Sequence, residues 1–503
     1  MAEPLEPRLA AVCDLTVSAV RELAGLHEYD GAIQDLSPDG VSAGLARLGG
    51  AALSDGHDEA HLAAFENGLR VAFGDVGMHR RNPLVHLAAL DLACYDRTYA
   101  PAPARAQARR RHLARWPDAV QAAVESLTEV PATVAAALLP AAQGLSADVD
   151  ADAGDVEAAA VAAHSRFIDH LRDVARDGSA GTAIGGPALA ALMGSPEGID
   201  VDLADLASRA DGERLRMTAL LRDACGQLRP HSPVQDVIAG LLRDHPDSDG
   251  VVAEATAQSA EVLAFTRERQ LVPWVDGECL VGPAPKSRRW AMAMMSWAAP
   301  QEPDAPSWYH ITPPEQTWPE QEQEEWLQVF SRTMLPAITV HEVAPGHYAH
   351  GRCLRRASSP VRRILHSYAF SEGWALYCEE MVMEEGFRGA DPRFAVGVAL
   401  SALVRATRLT CAIGLHTTQM TVDDAALRFQ QDAYLTGPAA RSEARRGTFD
   451  PAYGNYTWGK LTLLDLRDQA RRAWGPAFCL QRFHSALMGL GAPPLGLVGS
   501  ILD

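Results

Sequence analysis

The sequence predicts a mainly α-helical protein with one small antiparallel β-sheet beside the helices of a candidate site. Three observations predict this. Ala, Leu, Arg and Glu dominate, and apolar residues recur at three- and four-residue spacing, as in LAALDLACYDRTYA, WPDAVQAAVESL and VEAAAVAAHSRFIDHLRDVA. β-Branched and aromatic residues gather in one region only, in QLVPWVDGECLVG, RRWAMAMMSWA and SWYHIT, with turn residues between them. No repeat of fixed period runs through the chain, which speaks against a solenoid.

At 503 residues the chain is long enough for more than one core. We expect a helical N-terminal lobe over 1–270. A second lobe over 271–503 would hold the sheet (about 276–312), the helices of the candidate site (about 330–386) and the C-terminal helices. Connections are read at SADVDADAGD (146–155), DGSAGTAIGGP (177–187) and the Pro-rich 299–321. DVDADAG imitates a calcium loop, but its glycine comes one place late and Ala159 stands where the bidentate Glu belongs. GSAGTAIGG lacks the Lys-Ser/Thr of a phosphate loop.

Charge and composition exclude several function classes. Hydrophobic residues make up 47%, as in a folded globular protein, and the net charge of −19 disfavours nucleic acid or anionic membrane as a partner. The one dense basic run, RAQARRRHLAR (105–115), reads as a solvated helix face. The N-terminus has no basic segment before an apolar core, and a cytoplasmic protein without a membrane anchor is expected. The cysteines at 13, 94, 225, 279, 353, 378, 411 and 479 form no CxxC pair and read as reduced, mostly buried thiols.

The chemistry concentrates in HEVAPGHYAH (341–350). His341 and Glu342 open like a zinc-peptidase helix, in which a second His four residues on would stack on the same face. That place is Pro345, and the next histidine is His347. On a regular helix a side chain six residues on points about 120° away. Pro345 cannot donate to the carbonyl of residue 341, and Gly346 tolerates unusual dihedrals. We therefore expect the backbone to bulge at Pro-Gly and return His347 to His341, so that both bind one divalent ion, zinc by preference.

A third ligand is expected from AFSEGWALYCEE (369–380). If SSP (358–360) turns the chain between two antiparallel helices, His347 and Glu372 face each other across the hairpin. Gly373 would let the helices approach closely, and Glu379, two turns on, would accept from a ligand imidazole. Glu342 is the expected general base toward water, and a Tyr of FDPAYGNYTWGK (449–460) an expected donor to the oxyanion. His350 is read as a pocket residue beside the metal. His416 and His484, on apolar helical patterns, are read as histidines at the edge of the core.

HEVAPGH, SEGWALYCEE, YGNYTWGKL and FHSALMGLGAPPLGL together resemble the bacterial domain-of-unknown-function 885 family, and NPLVHLAAL, YHITPPE and RATRLTCAIGLH match it too. The resemblance implies a large helical fold of the HExxH metallopeptidase kind. The implied ligands are His341, His347 and Glu372, with Glu342 as base and Tyr456 as oxyanion or substrate donor. It also carries Tyr377 in the EGWA-x-Y-x-E motif, and Arg405 and Arg446 as groups for a substrate carboxylate or a structural ion pair. This sequence departs from the family at His350, usually Gln, and at Ala412, usually acidic. Many members are exported lipoproteins, and no signal is read here.

The expectation is thus a zinc-dependent hydrolase with one zinc ion per chain, acting on a peptide or peptide-like amide. The substrate would lie in a channel between lobes, along an edge strand of the sheet. The rivals are a metal-dependent lyase, cyclase or transferase of small-molecule biosynthesis, and a non-catalytic binding protein on the same fold.

Overall fold

The computed structural model describes residues 4–289, 291–302 and 304–502, so Trp290 of the second expected strand lies outside the described residues. The chain is mainly helical, as its apolar spacing predicts. In the N-terminal part, helices Trp116–Ser126, Ala132–Gly144 and Asp155–Asp177 close around Trp116, Val134, Leu138, Phe167 and Leu171. The basic run falls largely on helix Ala102–Leu113. Arg110 and Arg111 face solvent there, while His112 and Leu113 turn inward.

A larger core draws on residues from Leu189 to Val498 and surrounds the motif region. Its frame can be given by seven helices: α1 (Leu203–Leu228), α2 (Leu335–Glu342), α3 (His347–Leu354), α4 (Tyr368–Glu384), α5 (Pro392–His416), α6 (Gly437–Phe449) and α7 (Asn455–Trp474). α5 is long and apolar enough to cross a membrane, but most of it is buried inside this fold, where α1 packs along it. α4 starts sharply because Ser367 caps it, accepting from the Phe370 amide. Ser367 in turn donates to the buried carboxylate of Glu197.

The sheet has three strands, β1 (Cys279–Pro283), β2 (Ala293–Ser296) and β3 (Ser307–Ile311), in the order β1-β3-β2. β2 pairs antiparallel with β3, but β1 pairs parallel with it, so the sheet is mixed rather than wholly antiparallel. The connection between β1 and β3 is long enough for a crossover, and β3 therefore takes the middle place that a simple meander would give to β2. Ser307, Tyr309 and Ile311 of β3 point into the core. Just after β2, Trp297 is buried against Gly351 of α3, where an added Cβ would come 2.8 Å from the Trp297 Cβ. The described cysteines are all free, and among them only Cys479 is exposed.

Candidate metal centre

All eight residues of α2 are buried, and the helix stops at Glu342. The stop follows from Pro345, which offers no N–H to the carbonyl of His341. Val343 leaves helical geometry at φ −103°, ψ −83°, and the Ala344–Pro345 peptide is cis. Gly346 then folds back on the helix end. A Cβ there would lie 1.9 Å from the carbonyl oxygen of His341 and 2.5 Å from that of Val340, so only glycine fits. A new helix, α3, begins at His347. The expected bulge is therefore a complete break between two short helices. The break returns His347 to His341: their ring centroids are 4.8 Å apart and nearly perpendicular.

Glu372 of α4 completes the set. Its Oε2 lies 3.4 Å from His341 Nε2 and 3.4 Å from His347 Nε2. The connection from α3 is not the single turn expected at 358–360, because a short helix, Pro360–Ile364, intervenes. Both α2 and α3 pack on α4, and that packing, more than a hairpin, places Glu372.

These residues fit a metal ion. Ligand atoms of all three lie within 4.8 Å of one another. Two ligands about 2.1 Å from a tetrahedral zinc stand about 3.4 Å apart, the separation seen from Glu372 to each imidazole. Glu372 Oε2 is buried and makes no hydrogen bond despite two nearby ring nitrogens. This oxygen and the two Nε2 atoms converge, as donor atoms around one ion do.

The surroundings orient the candidate ligands. His341 Nδ1 lies 2.8 Å from Glu379 Oε1, the carboxylate–histidine arrangement that fixes a ligand imidazole. Burial alone would push the His341 imidazole down, but Glu372 and Glu379 outweigh it and push it up to about 9. Burial pushes the Glu372 carboxyl up, yet His347 and His341 hold it well below the usual carboxylate range. Glu342 is held above its ordinary value by burial, against the pull of His341 and His347, and its Oε2 is buried with no hydrogen bond. That is the condition of a base kept available for a proton.

α7 brings Tyr456 to the site through a close helix contact. A Cβ on Gly373 would lie 2.5 Å from the backbone of Gly459, and one on Gly459 would lie 2.0 Å from the carbonyl oxygen of Ala369. The Tyr456 ring stacks near His341, with centroids 6.2 Å apart. Its hydroxyl accepts from Tyr368 at 3.2 Å, and burial pushes it up.

The remaining residues separate. His350 is buried, with Nε2 3.1 Å from the carbonyl oxygen of Gly491, and burial pushes it down to about 3; it is outside the ligand set. Tyr377 lies 3.0 Å from His484 Nε2, under the Arg467 guanidinium, and makes no polar contact with the ligands. Arg446 is engaged by Asp450 at 3.0 and 2.8 Å. Arg405 lies 5.9 Å from the Tyr456 ring centroid. Two residues that the sequence reading passed over hold the site together. Trp374 donates from Nε1 to the carbonyl of Pro345 at 2.9 Å and clamps the break, and Tyr368 holds Tyr456. The Trp of EGWA was the available signal for the first. In this fold the motif supplies a ligand, a helix contact and a clamp in three consecutive residues.

The family model for bacterial proteins of unknown function designated DUF885 matches residues 22–501. The chain belongs to the DUF885 family. Two solved structures share its fold. A "putative lipoprotein of unknown function" from Shewanella oneidensis superposes with TM-score 0.75 at 19% identity, over 98% of each chain. A "putative lipoprotein" from Colwellia psychrerythraea superposes with TM-score 0.78 at 16% identity, over 99% of this chain and 96% of that one. These two overturn the expectation of a cytoplasmic protein, since both are described as putative lipoproteins. No functionally curated protein matches this DUF885 chain.

Proposed function

We propose that this DUF885 protein is a zinc-dependent hydrolase that cleaves a peptide or peptide-like amide bond in a small substrate. The observation that carries this reading is the convergence of His341, His347 and Glu372, with the Glu372 oxygen 3.4 Å from each imidazole and Glu342 adjoining. A divalent ion held by the three would supply a Lewis acid and an acidified water, with one position open to substrate. Glu342 takes the proton of the attacking water and passes it to the leaving nitrogen. Tyr456 donates its O–H toward the oxygen of the attacked carbonyl, where negative charge develops. Glu379 keeps His341 in the tautomer that leaves Nε2 free for the ion. β2, an outer strand beside α2 and α3, offers main-chain groups to an extended substrate.

The test is a screen of short peptides and acylated amines with product masses, run beside Glu342→Gln. Hydrolysis adds one water to the summed products, whereas elimination or cyclisation does not. The variant is expected to keep its metal and to lose roughly three orders of magnitude in kcat, in the middle of the range for a general base. Products without added water, or full turnover in Glu342→Gln, would contradict the proposal.

A further inference from the structure

Three arginines lie around Tyr456 and the neighbouring Tyr453, and they are satisfied differently. Arg408, whose guanidinium carbon is 5.1 Å from the Tyr456 ring centroid, makes two 2.8 Å hydrogen bonds to Glu443. Arg446 makes two to Asp450. Arg405 lies 5.9 Å from the same centroid and donates only to Ser401, to its Oγ at 3.0 Å and its carbonyl oxygen at 3.4 Å. Its Nε is buried without a hydrogen bond; Glu342 and Glu443 are close enough to feel its charge, but among the described residues no carboxylate pairs with it directly.

We infer that Arg405 binds a carboxylate of the substrate, so that the site takes peptides or acylated amino acids with a free carboxylate close to the scissile bond. The inference rests on the hydrolase reading and narrows its substrate. An arginine cannot shed its proton, so a guanidinium with a buried, unsatisfied N–H is costly unless an anion completes it. The planar fork matches a carboxylate through two parallel hydrogen bonds, as the neighbouring Arg408 already shows with Glu443. The protein as a whole carries −19, which disfavours an incoming anion. An anionic substrate therefore needs a local cation, and Arg408 and Arg446 are already neutralised. Position agrees as well. Arg405 and His341 both lie against the Tyr456 ring, at 5.9 and 6.2 Å from its centroid.

The experiment compares matched acids and amides. A short N-acylated peptide acid and its C-terminal carboxamide are assayed as substrates. A peptidyl hydroxamate ending in a free carboxylate and its carboxamide twin are titrated calorimetrically into the zinc-loaded protein. Both measurements are repeated with Arg405→Gln and Arg405→Lys. The wild type is expected to favour acid over amide by roughly 100-fold in kcat/KM and in affinity, as sites built around a polar group discriminate. Arg405→Gln should reduce that ratio to near one, with Arg405→Lys between, while the thermal midpoint stays in place. Equal treatment of acid and amide by the wild type, or a preference that survives Arg405→Gln, would overturn the assignment and leave the hydrolase reading standing. If neither hydroxamate bound, the hydrolase reading would fall and this inference with it.

Discussion

Buried histidines in two regions of this protein differ in what faces their ring nitrogens. In the N-terminal helices, His61, His86, His112 and His164 each meet a backbone carbonyl, at 3.1, 2.8, 3.0 and 2.8 Å. Burial pushes all four below their ordinary value, so they sit neutral in the core. Around the helix break, His341 faces two carboxylates, and His347 shares one of them. A carbonyl satisfies a neutral imidazole and finishes it as a structural part. A carboxylate oxygen shared by two imidazoles, with no hydrogen bond of its own, brings three donor atoms toward one point, which is what an ion needs. Burial alone therefore does not mark a functional histidine; the partner does.

The largest effect that sharpens this contrast is a response to acid. His86, His416 and His484 are pushed down to about 4, in each case mainly by burial. Their folded values lie below the unfolded value of about 6.5, so the stability they contribute is present above that pH and is lost as pH falls toward 4. At 1.36 kcal/mol per unit, each would cost on the order of 3 kcal/mol over the full window. Denaturant unfolding of the metal-free protein should therefore show a stability several kcal/mol lower at about pH 5 than at about pH 7.5. Equal stability at the two would break the contrast. A smaller effect concerns Glu379. Glu379→Gln should weaken metal affinity by roughly 10- to 100-fold, measured by chelator competition, with little change in the fold. Unchanged affinity would reduce Glu379 to a packing residue.

Much of the site was legible because its chemistry is local in sequence. HEVAPGH names two nitrogens, a carboxylate and the residues that break the helix between them. EGWA names a third side chain on the next long helix. His416 and His484 read as core histidines for a comparable reason, since both sit on apolar patterns; their nitrogens do meet carbonyls, of Gly447 and of Leu271. What the sequence did not carry is longer in range. The parallel pairing of β1 with β3 depends on a crossover that no local signal specifies. The contact between Gly373 and Gly459 joins residues 86 apart. Tyr377 shares the face of a motif but turns to His484, because α4 is buried on several sides and its residues answer to different neighbours. The arginines could not be told apart until Glu443 and Asp450 were placed.

The central claim is that a helix broken at Pro345–Gly346 returns His347 to His341 and so makes a metal site. The most direct test is metal content per chain in the purified, zinc-supplied protein, beside His347→Ala and His112→Ala. The account predicts about one zinc in the wild type and in His112→Ala, with the latter less stable by about 1–3 kcal/mol, and none retained in His347→Ala. Zinc retained in full by His347→Ala, or absent from the wild type, would contradict it.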